Sequence, residues 1–175
     1  KKPSIDQKNN FTKVLKGHIA IANSTFPFGT KGHQLDPRAR KYLRQSGLDY
    51  DHGTGHGVGS YLGVHEGPQS ISQAKNDVNL LPGMILSNEP GYYKMNEYGI
   101  RIENLITVLE NRKKKELFFE TLTLAPIDKY LINRRMLSMK EIGWLNDYHA
   151  KVYSNLKSFL NKEQESWLKQ ATGPV

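Results

Sequence analysis

The stretch that most restricts what this chain can become is His52-Gly53-Thr54-Gly55-His56-Gly57-Val58-Gly59, running on through Tyr61-Leu62-Gly63-Val64 to His65-Glu66. Three of the chain's six histidines fall within it, interleaved with glycines. Glycine has no side chain to shield its backbone, so a ligand or metal can approach closely. Two acidic signatures follow, Asn88-Glu89-Pro90-Gly91-Tyr92-Tyr93 and Tyr98-Gly99-Ile100-Arg101-Ile102-Glu103-Asn104. One histidine segment and two glutamate segments on separate elements are what a hydrolytic metal site needs. The imidazole supplies a neutral nitrogen, and the carboxylates offset metal charge and relay protons.

Taken in order, the polar run from Lys1 to Asn10 reads as a mobile lead-in. Phe11, Val14, Leu15, His18 and Ile19 fall at helical spacing, which predicts an amphipathic helix over 11–22 with His18 on or near its apolar face. There His18 is a hydrogen-bonded structural histidine. Phe26 to Gly32 is a turn-rich link. Asp36-Pro37 opens a second helix, Asp36 capping the free N–H groups and Pro37 suiting the first turn, and Gly47 closes it. Ala39, Tyr42 and Leu43 form its buried stripe. Residues 48–59 are expected to be extended and 60–79 to be loop. Strands are expected over 84–86, 100–109 and 118–124, with Glu89 and Glu103 at or near strand ends. Along the last strand Phe118, Glu120, Leu122 and Leu124 share one face. Ser138-Met139-Lys140-Glu141 fits a capping box for a C-terminal helix, and Trp167-Leu168 belong to a last short helix. Trp144 and Trp167 read as core or interface anchors. Helices, then antiparallel-type strands, then helices make an α+β order.

The bulk properties narrow the function classes. At 175 residues the chain is one domain's worth and can bury a real core. Its apolar runs are too short to span a membrane, and Lys1-Lys2 lead into polar residues rather than a secretory apolar stretch. There is no cysteine, which removes disulfides, zinc–thiolate sites and thiol catalysis and suits a cytoplasmic location. The net charge of +8 raises the question of an anionic partner. Its densest cluster, Arg112-Lys113-Lys114-Lys115, sits between two strand-like runs and reads as a solvated hairpin tip. Basic residues interleaved with aromatics along a groove are missing, so no nucleic-acid partner is expected.

The three motifs, in this order and spacing, resemble the Xaa-Pro aminopeptidases of the pita-bread metallopeptidases. The resemblance runs from about Phe11 to the C-terminus. It includes Leu122-Thr123-Leu124-Ala125-Pro126-Ile127 and Trp144-Leu145-Asn146-Asp147-Tyr148-His149, a tail similar to that of the longer, three-domain forms. It implies a pita-bread fold, with 1–127 as the C-terminal part of the catalytic domain and 128–175 as its helical extension. It further implies His56, Glu89 and Glu103 as metal ligands, Glu89 doubling as proton shuttle and Glu103 bridging two ions, and His52 and His65 as catalytic histidines that are not ligands. His65 is then the better oxyanion donor, while His52 either orients the substrate or supports its loop. Arg101 either holds a carboxylate in place or is a surface strand arginine, and Tyr92 and Tyr93 either line the substrate pocket or pack the turn. The implied cofactors are two divalent ions, manganese by family habit. The implied substrate is a peptide with proline second, and the implied assembly a homodimer.

One part of the family pattern has no match. Its ligand set begins with two aspartates on adjacent strands upstream of the first helix. Asp6 is the sole aspartate before Phe11 and sits in a polar setting, Asp36 is assigned to a helix cap, and Asp49 and Asp51 fall just before the histidine motif. The expectation is therefore a C-terminal portion of a longer enzyme, lacking the first strands, holding at most one metal ion and inactive by itself. The other reading is a pita-bread module kept for binding peptides or partners. Such relatives lose ligands throughout the site, and His56, His65, Glu89 and Glu103 are all present here.

Overall fold

The computed structural model describes residues 2–61 and 63–175. Two compact units are present, one gathering residues 1–12 and 124–175, the other residues 13–123. Helix α1 (Ile5–Ala22) contributes its first turns to one and the rest to the other. The polar lead-in is thus already helical from Ile5, which corrects the expectation for these residues. Ser4 starts the helix, its hydroxyl accepting from the Gln7 N–H at 3.2 Å while the Gln7 side chain accepts from the Ser4 N–H at 2.8 Å. This reciprocal cap offsets the poor helix propensity of the residues that follow.

The unit of residues 13–123 is built on a four-stranded antiparallel sheet in the order β1-β8-β7-β4, with β1 at Thr25–Pro27, β4 at Ile85–Asn88, β7 at Asn104–Asn111 and β8 at Glu116–Thr121. Val108 faces Phe119 across β7 and β8, and Leu86 faces Ile106 across β4 and β7. These residues join Leu117, Phe26, Ile21 from α1, and Leu35 and Ala39 at helix α2 (Asp36–Arg44) in one buried cluster. The buried face of β8 is therefore Leu117 and Phe119, while Glu120 on the other face is exposed. The start of the turn-rich link, Phe26 and Pro27, is recruited together with Thr25 as an edge strand. Gly47 has a φ of +70° and ends the turn after α2, where a side chain would be strained.

Two smaller antiparallel pairs complete this unit. β2 (Gly55–His56) pairs with β3 (Ser70–Ile71), and β5 (Gly91–Lys94) pairs with β6 (Tyr98–Arg101). The single strand expected over 100–109 is thus two strands of different sheets, broken at Ile102–Glu103. The segment 48–54 carries no strand, and β2 is the extended part of the glycine-rich segment. Arg112–Lys115 form the exposed β7–β8 turn, as expected.

In the other unit, α3 (Met139–Leu156) opens with the expected capping box of Ser138 and Glu141 and buries Ile142, Leu145 and Val152. α4 (Lys162–Ala171) buries Leu168 but leaves Trp167 62% exposed beside a cavity of about 680 Å³, so Trp167 is no core anchor in this chain. Trp144 stacks on Tyr148 at 5.3 Å between ring centroids. No helix among the described residues is long and apolar enough to cross a membrane.

Candidate metal centre

The glycine-rich segment is held against β4 closely enough that side chains would not fit. A Cβ at Gly55 would run into the carbonyl oxygen of Ser87, so glycine is required for the approach. The Val58 N–H donates to the Ile85 carbonyl at 3.1 Å, and the His56 N–H donates to the Ser87 hydroxyl oxygen at 3.0 Å. That hydroxyl donates in turn to Glu89 Oε1 at 2.8 Å. Ser87, two residues before the glutamate, therefore joins the two motifs and carried no signal of its own in the sequence.

His56 Nδ1 lies 2.9 Å from the Gly57 carbonyl oxygen, and His56 Nε2 lies 3.0 Å from Glu89 Oε1. A carbonyl only accepts, so Nδ1 carries the proton and Nε2 turns toward the carboxylate. For neutral imidazole this brings a nitrogen lone pair and a carboxylate oxygen together, an arrangement that a shared cation resolves. Two donors each about 2.1 Å from one ion and at right angles stand about 3.0 Å apart. His56 and Glu89 thus fit a divalent ion. Glu103 lies exposed in the break between β6 and β7. Among the described residues, no three His, Cys, Asp or Glu side chains are gathered as a metal cluster.

The second oxygen of Glu89 is taken by Arg101, whose Nη1 donates to Oε2 at 2.5 Å. Glu89 itself is buried, at 6% exposure. The same guanidinium sends Nε and Nη2 to the Tyr93 hydroxyl at 2.8 and 2.6 Å. Burial pulls the Arg101 guanidinium down, but Tyr93 and Glu89 outweigh it and hold the group above the usual arginine value. His52 Nδ1 sits 2.7 Å from the Gly53 carbonyl, which fixes its proton there and leaves Nε2 to accept from the Tyr93 O–H at 3.0 Å. One phenol oxygen therefore accepts from Arg101 and donates to His52, linking His52 to Glu89. Arg101 is a carboxylate-holding residue and not a free surface arginine.

The two tyrosines divide. Tyr93 is the hub just described, which pairing across β5 and β6 puts opposite Gly99. Tyr92 lies on the alternate face and packs edge-on against Tyr98 with ring centroids 6.2 Å apart. The sequence treated the two alike, and the period of two along β5 separates them. The exposed ring of His65 stands 4.1 Å from that of His56, so these two of the motif's three histidines face the same place. Leu62, quoted in the motif, lies outside the described residues.

His18 is the structural residue its position implied. It is fully buried, its carbonyl accepts from Asn88 at 3.0 Å and its Nε2 meets Asn104 Nδ2 at 3.2 Å. Burial pushes its pKa down to about 4 despite backbone hydrogen bonds that favour the charged form.

Asp36 requires a correction. The residue before it, Leu35, occupies the cap position of α2 without any side-chain cap, and the Asp36 carboxylate instead points inward. It accepts from Arg40 Nε and from the Thr54 hydroxyl, each at 2.6 Å. With Pro37 next in the chain the sequence imitates a capping signal, but the burial of Arg40 four residues on demands a counter-charge.

Comparison with known proteins bears on this geometry. Residues 1–110 match metallopeptidase family M24, and residues 115–175 match the C-terminal region of peptidase M24. Aminopeptidase P1 of Lotus japonicus is 48% identical over 99% of this chain, and a probable Xaa-Pro aminopeptidase P of Coprinopsis cinerea is 46% identical over 99%. The chain spans 28% and 29% of their lengths, less than a third. An X-prolyl aminopeptidase from Caenorhabditis elegans, described as a cytosolic enzyme with a di-nuclear active site, superposes with a TM-score of 0.93 at 40% identity. That match covers 99% of this chain and 29% of the nematode chain, so the α+β architecture here is part of the pita-bread fold. With its family match covering residues 1–110, the chain belongs to metallopeptidase family M24.

Proposed function

We propose that this chain is the C-terminal portion of an Xaa-Pro aminopeptidase, which releases the N-terminal residue from peptides with proline second. The observation that carries the reading is the meeting of His56 Nε2 and Glu89 Oε1 at 3.0 Å, with the other Glu89 oxygen fixed by Arg101. Close identity to relatives bearing that name supports it. Residues 1–127 belong to the catalytic domain and 128–175 extend it. The enzyme is cytoplasmic and works as a homodimer.

His56, Glu89 and Glu103 would hold the metal, two manganese ions being bound in the whole enzyme. When bound, they would supply a water of lowered pKa and polarise the peptide carbonyl. Glu89 takes the proton from that water and hands it to the leaving proline nitrogen. Arg101 keeps one Glu89 oxygen occupied, so that the other faces the reaction in a constant orientation. His65 donates a hydrogen bond to the oxygen on which charge develops. His52, pinned by Tyr93, orients the substrate. Tyr92 supports the turn from the other face of β5, packed against Tyr98. The bond to be cut lacks an N–H because proline follows it, so recognition relies on the free amino terminus and the ring.

The test is calorimetric titration with manganese and zinc, joined to an assay with Xaa-Pro peptides. The 175-residue chain should bind at most one ion, weakly, and release nothing. The longer protein should bind two and turn over. Two tight sites or turnover in the short chain would overturn its inactivity. A longer protein inert toward Xaa-Pro peptides would overturn the function.

A further inference from the structure

Among the described residues, the largest fully buried side chain is an arginine. Arg40 has no exposed surface, yet it lies on α2 and in the chain belongs to none of the three motifs. Of its guanidinium bonds one stays within its own helix, to Asp36. The others all go to residues 49–52, just before and at the start of the histidine motif. Nη1 donates to Asp49 Oδ1 at 2.9 Å and to the Tyr50 carbonyl at 2.5 Å, and Nη2 donates to the His52 carbonyl at 2.7 Å. The Tyr50 ring lies under the guanidinium at 3.9 Å, and its hydroxyl meets the Thr54 hydroxyl at 2.6 Å. Thr54 donates to Asp36 by its side chain, and its carbonyl accepts from the Glu89 N–H at 2.8 Å.

Residues 48–54 belong to no helix or strand, so their carbonyls have no strand-ladder partners, and the planar fork supplies those of Tyr50 and His52. A buried ion pair of this kind adds little stability over a well-packed apolar side chain, and its use lies in fixing one arrangement. Here the groups fixed are the main chain of His52 and, through Thr54, that of Glu89. We infer that Arg40, held by Asp36, is a positioning residue that sets where His52 and Glu89 stand relative to each other. This rests on the aminopeptidase reading proposed above.

The test uses the full-length enzyme. Lysine keeps the charge of Arg40 but loses the fork, so Arg40→Lys should lower kcat by about ten- to a hundredfold, with KM and bound metal unchanged. In a His52→Ala background part of that loss should vanish, since Arg40 acts partly through His52. A residue that merely stabilises the fold would give losses that multiply. Hydrogen exchange adds a readout apart from activity: amides of 49–55 should exchange faster in Arg40→Lys while β7 and β8 keep their protection. Should that variant fail to fold, Asp49→Asn removes one partner at the edge of the cluster and should show the same pattern more weakly. Fully multiplicative losses, or exchange unchanged at 49–55, would overturn the inference. If the wild-type enzyme cuts no Xaa-Pro peptide the functional reading falls, and exchange alone decides the clamp.

Discussion

At the scale of single residues, the site is organised by how each lone pair and each N–H is spoken for. The two carbonyls that follow His52 and His56 in the chain dictate the tautomer of each ring. Each ring then presents its other nitrogen to a different partner, Tyr93 for His52 and Glu89 for His56. His65 has no such tie and is exposed, though its ring lies against that of His56. That freedom suits a group that must reach a substrate oxygen. In the full-length enzyme His65→Ala should therefore lower kcat by roughly two to four powers of ten while metal content stays unchanged. Steady-state kinetics with elemental analysis checks this, and full activity in a metal-replete variant would remove His65 from the reaction. The motif histidines and Glu89 were legible in the sequence because glycine spacing marks them. Arg40 and Ser87 were not, and Tyr93 was not told apart from Tyr92. An arginine four residues after an aspartate on a helix reads as solvated, and nothing in the chain near Arg40 announces that its acceptors lie at 49–52.

Among the elements, alternation and capping chemistry carried most of the readable information. β7 and β8 were found because their buried positions recur every second residue, and α3 because Ser138 and Glu141 stand three apart before an apolar stripe. The break at Ile102–Glu103 was missed for a physical reason. Ile100 and Ile102 keep the alternation going, while the hydrogen-bond partner changes from β5 to β4. A hydrophobic pattern records which face is buried and is silent on which strand lies alongside. Helix α1 was read short for the opposite cause, since its first turns hold one apolar residue, the exposed Ile5, and are held by the Ser4–Gln7 cap. In α3 the cap is also measurable. The Ser138 hydroxyl accepts from the Glu141 N–H at 3.3 Å, and the Glu141 carboxylate accepts from the Ser138 N–H at 2.7 Å. Ser138→Ala should cost about 1 kcal/mol in denaturant unfolding, and a change below a few tenths would contradict the cap's role.

For the molecule as a whole, two buried histidines set a common response to acid. His18 and His149 have no exposed surface and belong to different units. Burial pushes His18 down to about 4, and burial together with the Lys129 charge does the same to His149. In the unfolded chain each would take up a proton near the ordinary value of about 6.5. Below that pH the unfolded state binds more protons, so stability is complete above about 6.5 and declines as pH falls toward 4. Each group contributes about 3 kcal/mol to that decline. Melting temperature followed from pH 7 to 4.5 should fall steadily, and a flat profile would show that neither ring stays neutral in the fold. The turn at Arg112–Lys115 offers the experimenter something else. The two family matches meet there, one ending at residue 110 and the other starting at 115. Its four basic residues are exposed, while β7 and β8 on either side are bonded along six paired positions. A brief trypsin digest should cut at this tip first, leaving two pieces that stay joined by the ladder, co-elute, and separate only in denaturant. The tip is accordingly where a fluorophore or affinity handle can be spliced into the chain without disturbing the histidine segment.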